Sequence, residues 1–436
     1  MDQGKYDFNI QHLGEPTIIS PVSVRYFTPE EKRILFNSYL EHYNDLKDPD
    51  GIPLSVEVAG PRKKIFFDPS KAKAAIVTCG GLCPGINDVI RAVVMELYHR
   101  YGVKNILGIR YGFQGLIPEY GHDICELIPE TVKDILGAGG SILSSSRGRQ
   151  DTGKMVDALR RMNICLFFCI GGDGTMRAAE YLTEEITKRN LSIAVIGIPK
   201  TIDNDLNLIQ KSFGFDTAIS EVVKAIRCAH VEAKGAPMGI GLIKIMGRLS
   251  GHIAADAALA QSDVNFVLIP ELPFDLEGEK GLLRVLEQRL KERGHTVIIV
   301  AEGAGQELIR RERKEPVETD ASGNIKLLDI GNFLKKKIEG HFKKLGMEIN
   351  LKYIDPSYMI RSVPANASDS IYCGSLGQYA VHAGMAGKTG MLVGLMKDEY
   401  VHIPLKMVTS GNKVEPEGNL WMRVLEATGQ PISMKN

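Results

Sequence analysis

The chain lacks an excess of charge of either sign, a long apolar stretch and an even set of cysteines. Lysine plus arginine and aspartate plus glutamate both total 53 in 436 residues. Because no global field favours nucleic acid or an anionic membrane, any anionic ligand must be attracted by locally placed cations. No apolar run approaches the roughly 20 residues that span a bilayer, and residues 1–6 lack the apolar stretch of a signal peptide. The seven cysteines, several within apolar runs, are typical of a reduced, cytoplasmic protein.

What the chain has is length and a regular alternation of apolar runs with helical patterns. A chain of 436 residues is too long to fold around one small hydrophobic core, so two domains are expected. From residue 74 onward, continuous apolar strands separated by helices predict an α/β fold with parallel sheets covered on both faces. The predicted strands are 74–79, 106–111, 165–170, 193–198, 239–245, 266–269 and 296–301, and the predicted helices are 153–162, 176–190, 216–234, 281–293 and 330–345. Residues 1–70 form a predicted N-terminal extension, with a helical pattern only around 29–46.

Two motifs directly follow predicted strands: Gly-Gly-Asp-Gly-Thr at 171–175 and Pro-Lys-Thr-Ile-Asp-Asn-Asp at 199–205. Ligands of parallel sheets bind at the carboxyl ends of the strands, where glycine lets a phosphate approach the backbone. Asp173 within the glycine cluster suits a hydrated Mg²⁺. If 201–205 is extended, Asp203 and Asp205 point to one side and can take a proton from a hydroxyl; the alternative is a polar loop with an Asx turn. Metal, phosphate and base together indicate phosphoryl transfer.

Three further segments each allow two interpretations. The glycine turn at 80–85 follows a strand and precedes a helix, so it either contacts phosphate or is a tight packing turn. Ser-Ser-Ser-Arg-Gly-Arg at 144–149 either presents guanidinium groups to phosphate or is a surface loop. The segment 386–390 resembles the end of a Walker loop, but His382 stands where that loop needs glycine. This favours a helix end and a turn before a strand at 391–395.

A larger set of segments resembles the 6-phosphofructokinase family, in the branch shared by pyrophosphate-dependent and some ATP-dependent enzymes. The similarity covers 71–405, and its motifs are 80–87, 171–175, 199–205, 246–248, 302–303 and 358–361. The resemblance implies two Rossmann-like three-layer domains with parallel-rich sheets and an active site in the cleft between them. It implies a nucleotide-binding donor domain at 71–214 and 360–409, and a fructose 6-phosphate domain at 215–359 and 410–436. It further implies ATP with Mg²⁺ as donor, fructose 1,6-bisphosphate as a product in glycolysis, and an allosteric, cytoplasmic homotetramer or homodimer.

Carried over position by position, the resemblance also implies roles for individual residues. Asp203 would take the proton from the 1-hydroxyl of fructose 6-phosphate and Asp173 would hold Mg²⁺, while Arg248, Arg147 and Thr201 complete the catalytic set. The donor site would be lined by Gly81, Arg147, Gly148, Gly172, Asp173, Gly174 and Thr175. The sugar phosphate would be bound by Thr201, Ile202, Asp203, Met246, Gly247, Arg248, Glu302, Lys352, Tyr358, Met359, Ile360 and Arg361.

Two positions that govern the choice of donor give opposite indications. Gly174 stands where pyrophosphate users carry aspartate, and a carboxylate there would repel the α-phosphate of a nucleotide, so glycine favours ATP. Lys200 resembles the lysine of the pyrophosphate users. We give Gly174 more weight, because a clash excludes a donor whereas a lysine only neutralises phosphate.

Gly239 replaces an arginine of the allosteric bacterial enzymes, which makes Lys244 a candidate to meet the sugar-phosphate charge.

Alternatives remain on the sequence alone. A reversible pyrophosphate-dependent enzyme would use the same residues with another donor. A non-catalytic regulatory subunit would bind ligands without chemistry, but it need not keep Asp173, Asp203 and Arg248. A lipid or NAD kinase would share the glycine loop and would have no use for 199–205 as it stands.

Overall fold

The computed structural model describes residues 6–39, 47, 51–313, 317–319, 325–408 and 411–436, and the chain forms two compact units. The first unit comprises Met1–Ile202, Leu206–Gly214 and Ser362–Gly411; the second comprises Asp203–Asp205, Phe215–Arg361 and Asn412–Asn436. Which ligand each unit binds stays a prediction.

The strands and α-helices are numbered in chain order. The strands are β1 (Gln11–His12), β2 (Ile18–Ile19), β3 (Arg33–Leu35), β4 (Ser55–Val58), β5 (Lys64–Ile65), β6 (Lys73–Thr78), β7 (Asn105–Ile109), β8 (Ile124–Glu126), β9 (Leu166–Gly171), β10 (Ala194–Pro199), β11 (Gly239–Ile245), β12 (Phe266–Leu268), β13 (His295–Ala301), β14 (Asn350–Ile354), β15 (Lys388–Thr389), β16 (Met391–Met396) and β17 (Glu399–Pro404). The helices are α1 (Ile86–Met95), α2 (Pro129–Val132), α3 (Thr152–Arg161), α4 (Asp173–Lys188), α5 (Phe215–Lys234), α6 (His252–Ala260), α7 (Leu282–Arg293), α8 (Gln306–Arg313), α9 (Ile330–Lys344), α10 (Ser357–Arg361), α11 (Ala367–Met385) and α12 (Asn419–Thr428). A π-helical segment, Glu96–Tyr101, continues α1. In the part of the chain that the structure describes, none of the helices is both long and apolar enough to cross a membrane.

The first unit is built on a mainly parallel sheet with the strand order β3-β4-β17-β16-β10-β9-β6-β7-β8. The central strands β16, β10, β9, β6 and β7 are parallel, and the flanking pairs are antiparallel. Because successive residues of β9 face opposite sides of the sheet, Phe167 and Cys169 pack in a core with α3 and α4, whereas Leu166 and Phe168 lie against Gly384 of α11. The sheet is therefore the middle of three layers.

The second unit has a smaller sheet in the order β12-β13-β11-β14, with every pair parallel. Leu242 of β11 packs in one core with Leu286 of α7 and Leu334 of α9. On the other face, a Cβ on Gly241 would lie 2.9 Å from the Ala229 side chain, so glycine lets α5 approach the sheet closely. This unit also has three layers, and the predicted fold class is confirmed.

Local chemistry explains where the helices begin and end. The Asp151 carboxylate accepts the main-chain N–H of Lys154 at 2.8 Å and caps the start of α3. Helices α7 and α12 stop at Gly294 and Gly429, whose φ values of +74° and +64° suit glycine. Each strand and helix predicted between 74 and 345 is present close to its predicted bounds.

The helix predicted around 29–46 is wrong for its described part, and 40–46 lie outside the described residues. Strand β3 occupies part of this stretch and pairs antiparallel with β4. Ile34 packs against the core of the first unit while Leu35 is exposed, an alternation that suits an edge strand. Because β4 also pairs with β17, tertiary pairing overrides the local helical pattern.

Candidate active site

Three segments with functional motifs leave the sheet of the first unit at the same edge. Strands β6, β9 and β10 are parallel neighbours, with Thr78 opposite Ile170 and Gly171 opposite Pro199. The carboxyl ends of these strands therefore lie side by side, which is the usual ligand-binding edge of a parallel sheet.

The Gly-Gly-Asp-Gly-Thr segment connects β9 to α4. A Cβ on Gly171 would lie 2.1 Å from the Thr175 hydroxyl oxygen, so only glycine permits this close turn. Asp173 opens the helix with its side chain 23% exposed, and it pairs with Arg177 one turn later at 2.7 Å. A Cβ on Gly174 would meet no atom of the described residues within 4 Å. The start of a long helix favours an anion, and this one is open beside Gly174.

The glycine turn after β6 is bonded to Lys200 and Ser146 and lies beside Arg147. Gly80 has φ +86°, which favours glycine, and its N–H donates to the Ser146 carbonyl at 3.0 Å. The Arg147 guanidinium lies 3.3 Å from the position of a Cβ on Gly81. The buried ammonium of Lys200 donates to the Gly81 carbonyl at 2.7 Å. The segment is thus a tight turn bordered by cations, and its contact with phosphate stays a prediction.

Asp203 lies in a turn rather than in an extended segment, so the predicted alternation of Asp203 and Asp205 is wrong. Asn204 between them has φ +52°, a left-handed conformation that asparagine tolerates. The side chain of Asn412 donates to the Asn204 carbonyl at 2.8 Å, and its N–H donates to the Asp205 carbonyl at 3.1 Å. The main-chain N–H of Arg248 donates to the Asp203 carboxylate at 3.4 Å. The polar-turn alternative therefore describes the local structure.

The surroundings of Asp203 favour its protonated form. Burial raises the pKa of Asp203 to about 7, the carboxylates of Asp205 and Glu302 add to the rise, and the N–H and charge of Arg248 oppose it. A carboxylate with this pKa is substantially ionised at neutral pH and is still basic enough to hold a proton. The geometry and electrostatics suit Asp203 for general-base catalysis.

The second unit gathers predicted residues at the carboxyl edge of its own sheet. Strands β11 and β13 end side by side, with Ile245 opposite Ala301. Residues 246–248 and Glu302 therefore emerge together, and the Glu302 N–H donates to the Ile245 carbonyl at 2.9 Å. Gly247 has φ +127°, which favours glycine at the bend that leads to Arg248.

Cations surround Glu302 at this edge. Burial raises the pKa of Glu302, Lys244, Arg248 and Arg361 lower it, and the nearby carboxylate of Asp355 raises it. Such charge interactions weaken with distance, so these groups share one neighbourhood. The neighbourhood combines positive charge for an anion with a carboxylate that can accept hydroxyl hydrogen bonds.

Helix α10 presents its residues unequally. Tyr358 and Met359 are 75% and 72% exposed, whereas Ile360 is 1% exposed and can reach a ligand only through its main chain. The Arg361 guanidinium carbon lies 4.7 Å from the centre of the Tyr358 ring, which is a cation–π distance. Lys352 is exposed within β14 rather than at its carboxyl end.

The other predicted residues belong to the chain segments already described. Gly172 precedes the first residue of α4 in extended conformation, and Gly148 has φ +100°. Ile202 is buried, and the Thr201 carbonyl accepts the Ser212 hydroxyl. Their contacts with ligands stay predictions.

Sequence reasoning missed Asp355, which follows β14. The ammonium of Lys244 lies 2.6 Å from the Asp355 carboxylate. Lys244, the candidate for binding the sugar phosphate, therefore has an ion-pair partner within the protein. The Asp-Pro-Ser sequence at 355–357 was an available turn signal.

The Walker-like segment at 386–390 is a helix end and a turn, as the sequence favoured. Helix α11 ends at Met385, and β15 and β16 follow. Lys388 is fully buried, with its ammonium 2.8 Å from Glu30 and 2.8 Å from Glu57. Its charge therefore links the N-terminal part of the first unit to the segment that follows α11.

Solved structures share this α/β fold. A pyrophosphate-dependent phosphofructokinase from Marinobacter aquaeolei has a TM-score of 0.65 at 20% identity, over 83% of this chain and 92% of its own. The phosphofructokinase of Pichia pastoris in the T-state has a TM-score of 0.62 at 21% identity, over 77% of this chain and 35% of its own. At such identities the similarity shows the fold alone.

Sequence comparison adds the family. A sequence model described as phosphofructokinase matches residues 73–384. The chain is 52% identical to the ATP-dependent 6-phosphofructokinase of Borreliella burgdorferi, over 99% of this chain and 98% of that protein. It is 47% identical to a protein of the same name from Amycolatopsis methanolica, over 98% and 95% of the two chains. A third, from Trypanosoma cruzi, is 41% identical over 93% and 85%. The chain belongs to the phosphofructokinase family.

Proposed function

We propose that the protein is an ATP-dependent 6-phosphofructokinase. It transfers the γ-phosphate of ATP to the 1-hydroxyl of D-fructose 6-phosphate and gives fructose 1,6-bisphosphate and ADP in glycolysis. The observation that carries the proposal is 52% identity, along nearly the whole chain, to a relative named for this activity.

Asp203 acts as the general base. Its carboxylate takes the proton of the 1-hydroxyl as the hydroxyl oxygen bonds to the γ-phosphorus and the bond to the β,γ-bridging oxygen breaks. The pKa of about 7 supports this role. The N–H of Arg248 holds the carboxylate, and the guanidinium groups of Arg248 and Arg147 stabilise charge on the phosphoryl group in transfer. Thr201 adds a hydroxyl that can donate a hydrogen bond to the sugar.

The second unit binds fructose 6-phosphate. Arg361, steadied by its stacking on Tyr358, offers a planar fork of donors that matches phosphate oxygens. Lys352 adds positive charge. Glu302 accepts hydrogen bonds from sugar hydroxyls, and 246–247 contribute main-chain contacts.

The first unit binds the nucleotide. The start of α4 and the glycine turn at Gly81 receive its phosphates, with the Arg147 guanidinium beside them. The open space at Gly174 leaves room for the α-phosphate. Lys200, by donating to the Gly81 carbonyl, supports the turn whichever donor is used. The presence of Lys200 therefore does not imply that the enzyme uses pyrophosphate as donor.

Asp173 would hold the Mg²⁺ that accompanies ATP. Mg²⁺ usually binds proteins through one or two carboxylates and completes its shell with phosphate oxygens and water. A single partly exposed carboxylate at the start of α4 fits that requirement. When bound, the ion would offset negative charge on the donor phosphates. The ion pair with Arg177 orients the carboxylate at the helix start.

The proposed assembly is an allosteric homotetramer or homodimer in the cytoplasm. The family resemblance supports this assignment. Light scattering of the purified protein distinguishes dimer from tetramer.

The deciding experiment is an assay with two donors. Purified protein receives fructose 6-phosphate and Mg²⁺ with either ATP or pyrophosphate, and fructose 1,6-bisphosphate is measured. Turnover with ATP and near inactivity with pyrophosphate supports the proposal. Reversible turnover with pyrophosphate would establish the alternative donor, and binding without turnover would indicate a regulatory subunit.

A further inference from the structure

The junction between β14 and α10 is fixed by one carboxylate with two sets of partners. One oxygen of Asp355 accepts the N–H of Ser357 at 3.2 Å and its hydroxyl at 2.6 Å. The other oxygen lies 2.6 Å from the ammonium of Lys244. Asp355 therefore ties the first residue of α10 to the neighbouring strand.

Lys244 is well placed to anchor this junction. It belongs to β11, which pairs with β13 on one side and β14 on the other, so its backbone is fixed within the sheet. The register sets Ile243 opposite Ile354. The next residue in β11 is Lys244, and the residue that directly follows β14 is Asp355. The Lys244 side chain is largely buried, which leaves its ammonium little freedom.

The position of α10 matters because the helix has only five residues, Ser357–Arg361. So short a helix has little intrinsic stability. The buried side chain of Ile360 packs one face of the helix, and Asp355 attaches its start. Tyr358 and Arg361 both lie on this helix.

We propose that Lys244 is a positioning residue for the acceptor site: through Asp355 it fixes the start of α10 and thereby the direction of Arg361 and Tyr358. It does not itself bind the sugar phosphate. The inference rests on the proposed function, because it concerns how that enzyme recognises fructose 6-phosphate. The electrostatics agree, since Lys244 also lowers the pKa of Glu302 in the same neighbourhood.

The test compares Lys244→Met, Asp355→Asn and the double variant. Lys244→Met removes the charge at similar length, and Asp355→Asn keeps an acceptor for Ser357 while ending the ion pair. Each single variant should raise the KM for fructose 6-phosphate about ten- to hundredfold, since small displacements of a binding group have effects of this size. The KM for ATP should stay constant and kcat should change far less than the KM for the sugar.

The double variant separates positioning from direct binding. If Lys244 acts through Asp355, the double variant is no worse than Lys244→Met, because both changes break the same link. Direct binding of phosphate by Lys244 predicts the opposite pattern: Asp355→Asn would leave the KM unchanged or lower it, and that result would overturn the proposal. Lys244→Arg, which keeps the charge, should restore the KM to near the native value.

Two controls test whether a change in KM is specific to the Lys244–Asp355 pair and whether each variant is folded. Lys291→Met removes another paired lysine of the second unit, whose ammonium lies 2.5 Å from Glu287, and it should leave both KM values unchanged. Circular dichroism of each variant checks folding, and Asp355→Asn with Lys244→Arg still decides the question if Lys244→Met does not fold. If the native protein does not turn over fructose 6-phosphate with ATP, the proposed function is refuted. If the native protein is active but Lys244→Met and Asp355→Asn leave the KM for fructose 6-phosphate unaltered, only the positioning role is refuted.

Discussion

Replacing Gly174 with aspartate should separate donor binding from folding. Among the described residues, a Cβ at this position meets no atom within 4 Å, so a side chain can begin here without a clash at its first atom. Position 174 is the second residue of α4. Replacing a helical glycine with aspartate gains only about 0.3 kcal/mol in helix propensity, and a carboxylate in the first turn adds about 0.3–1 kcal/mol. The free energy of unfolding of Gly174→Asp should therefore be equal to or higher than that of the native protein.

The same carboxylate should be strongly unfavourable for ATP. Two like charges about 4 Å apart at an effective dielectric constant near 20 repel by about 4 kcal/mol. Since about 1.4 kcal/mol corresponds to tenfold in affinity, the loss approaches a thousandfold before any steric contribution. Lys200 borders the same edge of the sheet through its bond to Gly81, so some activity with pyrophosphate is expected to appear.

The assay measures the KM for ATP and the rate with pyrophosphate, and Gly174→Asn is the matched control. Asparagine has nearly the same volume without the charge, so an electrostatic effect leaves Gly174→Asn much closer to the native enzyme. Equal losses in both variants would assign the effect to volume. A folded Gly174→Asp enzyme with unaltered KM for ATP would refute the reasoning. So would comparable native rates with both donors, which would show that Lys200 governs the choice.

Three further predictions follow from individual contacts. Native kcat/KM should fall as the pH drops below about 7, because only the ionised form of Asp203 accepts a proton. Asp203→Asn should lower kcat at least ~10²-fold, and a near-native kcat in a folded variant would show that Asp203 is not the general base. Arg361→Ala should raise the KM for fructose 6-phosphate far more than the KM for ATP, and equal changes in both constants would contradict its assignment to the sugar phosphate. Lys388→Met should lower the free energy of unfolding in urea by about 3 kcal/mol, which is the low end for breaking a buried pair. We expect the low end because Glu57 keeps a second partner, Arg62, at 2.7 Å. An unchanged urea midpoint would show that the Lys388 pairs contribute nothing.

The parallel strands and their loops were predictable because the signals that define them are local. A strand buried on both faces is a continuous apolar run, as at 165–170, and glycine or proline marks its end. The register of a parallel sheet then brings the carboxyl ends of neighbouring strands together. The shared edge of 171–175 and 199–205 follows from these two facts, and the structure has that arrangement.

The features that sequence reasoning missed depend on partners far away in the chain. The turn at Asn204 is held by Asn412, which lies 208 positions later. Lys388 is neutralised by Glu30, which lies 358 positions earlier. A single sequence contains no local signal for such pairings. The extended alternative for 201–205 was therefore wrong, as was the described part of the helix predicted around 29–46.

The conflicting indications from Gly174 and Lys200 are reconciled by what each group does within the first unit. The Lys200 ammonium donates to the Gly81 carbonyl at 2.7 Å, so it has a supporting role that does not depend on the donor. Among the described residues, a Cβ on Gly174 would meet no atom within 4 Å. We therefore expect one carboxylate at 174 to change the donor on an unchanged fold, and we expect the lysine to be compatible with either donor.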